Sequence, residues 1–406
     1  MNQFLKNAQA FDMEAVLNAE EAKVESFNST LEYTRPLGEY PTVSEIVNFL
    51  QNRKRNIHVY TDDIRSNGIV VQDDMRKYLE SPNLSSGTIK KALNTMLHYE
   101  FEKNCRKKLE ALQGEKDHFK LGTYLHECVL EPTKFSRVIV EPKASRANNS
   151  DLDMLCDFWE ETIRDKGEVF PEGSAPIQAE EAIEKAYKDT VKDIDKRDGK
   201  KEYLNNLIQI SGLRVVSEDM KMIIDIAHSN YMRYGNGILP ELLKHSKREI
   251  SMYVKDEETG LDVKIRPDAI QFAENIGVDA IISVKTTSCE TLGHFYYHSA
   301  KLNYETSEGM YQEVASKATG RDFATTLMIM IQTVPPYGVA LLKWNPEDIE
   351  IGKHKYRHAL QSIADADFSK VVPSFDMYAE QGHFGIIEMK QPDWNKKNIH
   401  PVDVND

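Results

Sequence analysis

The sequence predicts an α/β protein, a strand-rich centre with helices before, between and after its strands. Three observations carry this. Period-two alternation runs from Glu249 to Val254 and from Leu261 to Pro267, on either side of a Glu257-Glu258-Thr259-Gly260 turn of hairpin type. Two apolar runs, Thr326 to Val334 and Gly338 to Trp344, are separated by Pro335-Pro336-Tyr337 and read as paired strands. Helical spacing holds in the stretches around them, above all residues 151 to 235, Tyr304 to Thr319 and Pro346 to about Ala364.

In chain order, residues 1 to 80 are acidic and helix-leaning, with Thr42-x-x-Glu45 as a capping box before Ile46, Phe49 and Leu50. Those apolar positions and Val59 need a surface to cover them, so this extension reads as an interaction segment. A helix starts at Ser85-Ser86-Gly87, where serine can cap free amides, and Ile89, Leu93, Met96 and Leu97 recur at helical spacing. A second helix carries Leu121 to His126. The stretch from Ala179 to Asp195 alternates in charge like a solvent-exposed helix face. A further strand runs from about Gly277 to Lys285. The core domain is placed at 81–370, and 371–406 is a C-terminal tail.

The chain has 406 residues, 40% of them hydrophobic, enough to bury a sizeable core. No apolar stretch is long enough to cross a bilayer, and Met1 to Glu20 lacks the pattern of a secretory leader, which implies a cytoplasmic protein. Cys105, Cys128, Cys156 and Cys289 are spaced too irregularly for a zinc site or a thiolate-held cluster, and reduced thiols are expected. A formal charge of −14 argues against indiscriminate coating of nucleic acid, so any DNA contact must be local. Candidate basic patches are Arg53-Lys54-Arg55, then Lys103 with Arg106, Lys107 and Lys108, and Lys244 with Lys247 and Arg248; each also reads as a solvated helix face.

Four separated segments resemble the exonuclease VIII (RecE) type of PD-(D/E)XK nuclease in order and spacing. They are Leu121-Gly122-Thr123-Tyr124-Leu125-His126 leading to Leu130-Glu131-Pro132; Glu249-Ile250-Ser251 leading through Gly260-Leu261 to Arg266-Pro267-Asp268; Ile282-Ser283-Val284-Lys285-Thr286-Thr287; and the Tyr304 to Tyr311 helix. The resemblance implies a restriction-endonuclease-like core with a central mixed sheet. In it, strands 249–254, 261–266, 277–285 and 326–334 share one sheet, and a helix aims His126 at Asp268 and Lys285. It also implies that His126 and Asp268 are metal ligands, and that Lys285 orients water or stabilises the transition state. Ser283 stands at the position of the bridging ligand, Glu249 joins it and Lys285 as a catalytic residue, and Thr286, Tyr304 and Tyr311 face substrate. The chemistry suits such a set, because phosphodiester hydrolysis needs a hard divalent metal held by oxygen ligands, here Mg or Mn.

The sequence departs from that pattern twice. The family's strand Asp is Ser283, and the Gln of its Tyr-x-x-Gln helix is Ser307. Serine is a neutral, weak ligand, and Asp279 lies too far along the strand to replace it. Glu305 or Glu308 on the following helix could migrate into the site, although nothing in the spacing demands it. Bland readings stand beside each role: His126 as an interior histidine, Asp268 as a turn residue after Pro267, Lys285 as a snorkelling edge lysine, Glu249 as a cross-hairpin ion pair, and Tyr304 and Tyr311 as core aromatics. The expectation is therefore a nuclease fold with a degenerate site, a DNA-contacting or structural part of a phage assembly or recombination complex. It would act as a homo-oligomer or within a larger particle, in host cytoplasm or the virion. The alternative is an active Mg-dependent DNA exonuclease.

Overall fold

The computed structural model describes residues 36–52, 68–72, 74–106, 117–171 and 174–390. Arg53, Lys54, Arg55, Val59, Lys107 and Lys108 lie outside the described residues. In chain order, α1 (Val43–Asn52), β1 (Ile69–Val71) and α2 (Met75–Glu80) precede α3 (Ser86–Ala92), α4 (Met96–Asn104), α5 (Asp117–Leu130) and α6 (Pro132–Phe135). Next come β2 (Val138–Val140), α7 (Asn149–Lys166), β3 (Glu168–Val169), β4 (Ile177–Gln178), α8 (Ala179–Lys188), α9 (Arg197–Ser211) and β5 (Arg214–Val216). Helices α10 (Glu218–Arg233) and α11 (Ile238–Leu243) lead to β6 (Lys247–Arg248), β7 (Ser251–Lys255), β8 (Asp262–Ile265), β9 (Ala269–Gln271), α12 (Ala273–Ile276) and β10 (Asp279–Thr287). The last elements are α13 (Leu292–Lys301), α14 (Tyr304–Thr319), β11 (Phe323–Gln332), β12 (Val339–Lys343) and α15 (Pro346–Asp365).

This is a mixed α/β fold. Its central sheet has five strands in the order β12-β11-β10-β9-β6. Strands β10 and β11 are parallel, with Ser283 opposite Met328, and α13 and α14 make the crossover that a parallel pair requires. Every residue of β11 is buried, which explains why it reads as an unbroken apolar run rather than an alternating one. The expectation of one shared sheet is corrected: the β7–β8 hairpin pairs with β1 in a separate three-stranded sheet. The left-handed turn at Glu249, φ +53°, interrupts the ladder between β6 and β7. The two sheets still share one apolar cluster, in which Met252 and Ile265 meet Ile270 and Ile281.

Local chemistry sets several boundaries. Thr42 and Glu45 form the expected capping box, the Thr42 amide donating to Glu45 Oε2 at 2.7 Å and the Glu45 amide to Thr42 Oγ1 at 3.2 Å. The single helix read from Ser85 to Leu97 is two. Thr95 adopts an extended backbone, and its hydroxyl caps the His98 amide at 3.2 Å, starting α4 afresh. The charged helix read from Ala179 to Asp195 stops at Lys188. Gly277, φ +83°, ends α12, and a Cβ there would stand 2.9 Å from the Phe49 ring, so only glycine fits the turn and the contact together.

Described parts of the first 80 residues pack on this body. Ile46 is buried in the cluster that holds Ile276 and Ile282, and β1 pairs with β7. Residues between β2 and β5 form an inserted helical layer with its own core around Leu152, Trp159, Ile163 and Leu207. Strands β2 and β5 pair in parallel at its base. The described tail crosses α3 and α4, with the Leu97 amide donating to the Pro373 carbonyl at 3.1 Å. No described helix is long and apolar enough to cross a membrane.

Candidate metal centre

Glycine at position 122 lets α5 lie against β10. A Cβ there would stand 3.0 Å from Thr286 Oγ1, a tight approach that the Thr286 hydroxyl would have to relieve. One turn later α5 delivers His126. Its Nε2 lies 3.1 Å from Asp268 Oδ1 and its Nδ1 3.9 Å from Glu249 Oε1. Asp268 comes from the short link between β8 and β9, and Glu249 from the left-handed turn before β7. A non-glycine residue in that conformation carries local strain, held here by the surrounding contacts. One ligand atom from each of His126, Glu249 and Asp268 lies within 4.8 Å of the others. That spacing and donor set suit a hard or borderline divalent ion, whose ligands sit at about 2.0–2.6 Å.

The electrostatics act differently on the three residues. Burial alone would raise the Asp268 carboxyl, but the charge of Lys285 and the hydrogen bond and charge of His126 overcome it. With the Val284 amide donating to Oδ2 at 2.5 Å, they hold the carboxyl at about 2. Burial disfavours the His126 imidazolium, yet Asp268 and Glu249 raise its pKa above the ordinary value. Burial raises Glu249 as well, against the Arg266 Nε hydrogen bond to its Oε2 at 2.8 Å.

Ser283 and Lys285 lie two residues apart on β10 and share a face. The Ser283 hydroxyl lies 2.8 and 2.7 Å from the two carboxylate oxygens of Glu308 on α14. Lys285 Nζ stands 3.7 Å from Asp268 Oδ2 and 4.0 Å from Glu308 Oε1, with the Tyr304 ring centroid 5.8 Å away. A carboxylate therefore sits beside the strand position that the sequence gives to serine. Of the two glutamates considered for that place, Glu308 takes it, while Glu305 pairs with Lys355 at 2.7 Å. Two glycines fix the helix that carries it: a Cβ at Gly352 would stand 2.0 Å from the Glu305 carbonyl oxygen, and one at Gly309 2.6 Å from the Lys353 amide. Glu308 is fully buried, and burial raises its pKa.

The other expected residues fall around this centre. Thr286 lines a groove of about 740 Å³ with His126, Glu249 and Arg266. Tyr311 packs against the core cluster and hydrogen-bonds Ser86, an arrangement nearer to the core-aromatic reading than to a substrate contact. Ser307 is buried on α14. Glu308 is one of two open candidates in the sequence, Arg266 belongs to the Arg266-Pro267-Asp268 segment without an assigned role, and Lys90 carries no recognisable sequence signal. The Lys90 ammonium is pushed down to about 8 by burial and by Lys285, donates to the Leu302 carbonyl at 3.0 Å and lies over Tyr304. Among the basic patches, Arg248 is spent on the Leu130 and Leu243 carbonyls at 2.8 and 3.0 Å, and Arg106 on Glu102 at 3.0 Å.

No protein-family model matches the sequence. No curated protein matches it. Among solved structures, the chain is similar to a protein from Eubacterium rectale described as a candidate exonuclease. The identity is 12%, the match covers 53% of this chain and 92% of that one, and the TM-score is 0.28. At that TM-score the likeness carries no weight for function.

Proposed function

We propose that this chain is a metal-dependent nuclease of the PD-(D/E)XK type, using Mg or Mn, in which Glu308 fills the place of the missing strand carboxylate. One observation supports it above the rest: His126, Glu249 and Asp268 converge within 4.8 Å, with Lys285 between Asp268 and Glu308. A divalent ion in the trio would offset phosphoryl charge and lower the pKa of a water molecule. Asp268, ionised down to about 2, offers a permanent anionic ligand. Lys285, kept protonated by Asp268 and Glu308 against the cost of burial, can donate to a phosphoryl oxygen or orient water. Hydrolysis then adds water across one P–O bond, leaving a phosphate on one product and an alcohol on the other.

A second reading, the scaffold without cleavage, is favoured by a specific feature: Glu308 is fully buried and outside the trio, which leaves two carboxylates there. One assay separates the two. Linear duplex DNA, the substrate the resemblance implies, is incubated with Mg or Mn and wild-type, Lys285→Ala or Glu308→Gln protein. Cleavage by wild type alone, stopped by chelation, is the expected result. Wild-type activity no greater than that of Lys285→Ala would establish the non-catalytic reading.

A further inference from the structure

Beside the metal centre, a cleft of about 1260 Å³ separates the inserted helical layer from the body. One wall comes from residues near α2, α6 and β5, the other from Phe170, α8 and α9. Asp74 and Lys134 line both this cleft and the groove that holds His126 and Glu249, so the two spaces adjoin.

The charge of the cleft opposes that of the chain. Arg76, Lys134, Arg137, Lys185 and Arg214 line it, against the carboxylates of Asp74 and Asp189, in a protein of formal charge −14. Lys134 and Arg214 share Glu127, at 3.2 and 2.6 Å, and Arg76 pairs with Glu80 at 2.9 Å, so part of their charge is neutralised. Arg137 donates instead to the neutral Phe170 carbonyl, and Lys185 is exposed on α8. The guanidinium of Arg137 lies over the Phe170 ring, 5.5 Å from its centroid, and the ring is 44% exposed, so cation and aromatic surface stand together in the cleft. Cations that follow a phosphate backbone, with an exposed ring among them, are what unpaired bases require; in a duplex the base faces are already stacked.

We infer that this cleft binds a single-stranded polynucleotide, holding the backbone at Arg137 and Lys185 and stacking a base on Phe170, beside the groove of the metal centre. The link with cleavage rests on the nuclease reading, whereas the binding does not.

Fluorescence anisotropy of labelled oligo-dT, in chelator and over a range of salt, tests it. Arg137→Glu with Lys185→Glu is expected to weaken binding about tenfold or more and to flatten the salt dependence by roughly two phosphate contacts. Phe170→Ala is expected to weaken it about tenfold with the salt slope unchanged. Phe170→Ala removes an exposed ring, so it carries the test alone if the charge variant melts early. Parallel loss with oligo-rU assigns the cleft to either sugar, and loss with oligo-dT alone assigns it to DNA. Wild-type affinity for oligo-dT in folded Phe170→Ala overturns the inference, as does equal loss of blunt duplex binding in that variant. Oligo-dT binding without metal-dependent cleavage would overturn the nuclease reading and leave the cleft. Cleavage with unaltered variants would do the reverse.

Discussion

The Ser283 hydroxyl on β10 reaches both carboxyl oxygens of Glu308 on α14, at 2.8 and 2.7 Å, so a helix sets a carboxyl group against the strand position held by serine. A carboxylate at 283 would therefore meet Glu308 directly. Ser283→Asp alone is expected to lower stability, since two buried carboxylates cannot both ionise at that distance. Glu308→Gln should reduce metal-dependent cleavage by about a hundredfold. The double variant Ser283→Asp, Glu308→Gln should recover part of it. Steady-state cleavage rates and thermal melts check the set, and a double variant no better than Glu308→Gln would show that the two positions are not interchangeable.

Metal binding should depend on pH through His126. Its pKa is raised in the folded, metal-free protein by Asp268 and Glu249, so its contribution to metal-free stability is full below about 6.5 and fades as pH rises through the folded value. A protonated imidazole cannot ligate, so Mn affinity should strengthen over the same window and then level off. Calorimetric titration at stepped pH reads this. In His126→Ala the pH dependence should vanish along with most of the affinity.

Gly122→Ala should destabilise by about 1–3 kcal/mol and weaken metal binding, because the added methyl group meets Thr286 Oγ1 at 3.0 Å. Thr286→Ala removes that oxygen and leaves Cβ at an ordinary 4.0 Å, so the pair should recover both properties. Melting temperature and Mn titration of the single and double variants measure the coupling.

Asp256 should govern acid stability away from the centre. Burial opposes its charge, but Thr259, at 3.0 Å from its amide and 2.8 Å from its hydroxyl, and Arg357 hold it at about 2. A depressed carboxyl stabilises above its unfolded pKa, so about 2 kcal/mol should be lost as pH falls from about 4 to about 2. Asp256→Asn should lose it at neutral pH and flatten the acid limb of the stability curve, measured by urea unfolding.

Deleting residues 1 to 80 is expected to destabilise the core rather than leave it intact. The deletion removes β1 from its pairing with β7, Ile46 from its cluster and the Tyr40 hydrogen bond to Glu350. Urea midpoints of the full and shortened chains test this.

The sequence by itself determined the mixed α/β class of fold and the approximate extents of α14, α15 and the β7–β8 hairpin. These are written in local spacing, whereas His126, Asp268 and Lys285 are grouped into a site by the resemblance of their motifs to the exonuclease VIII type. Which of Glu305 and Glu308 faces Ser283 was not legible. Residues three apart on a helix share a face, separated by only about 60°, so spacing does not choose between them, and the packing of α14 on α15 through Gly309 and Gly352 fixes the rotation. The separation of the hairpin into its own sheet, the docking of residues 36–52, 68–72 and 74–80 on the body, and the cleft beneath the inserted layer were likewise decided by the tertiary structure. Each depends on contacts between segments distant in the chain, which no window of neighbouring residues encodes.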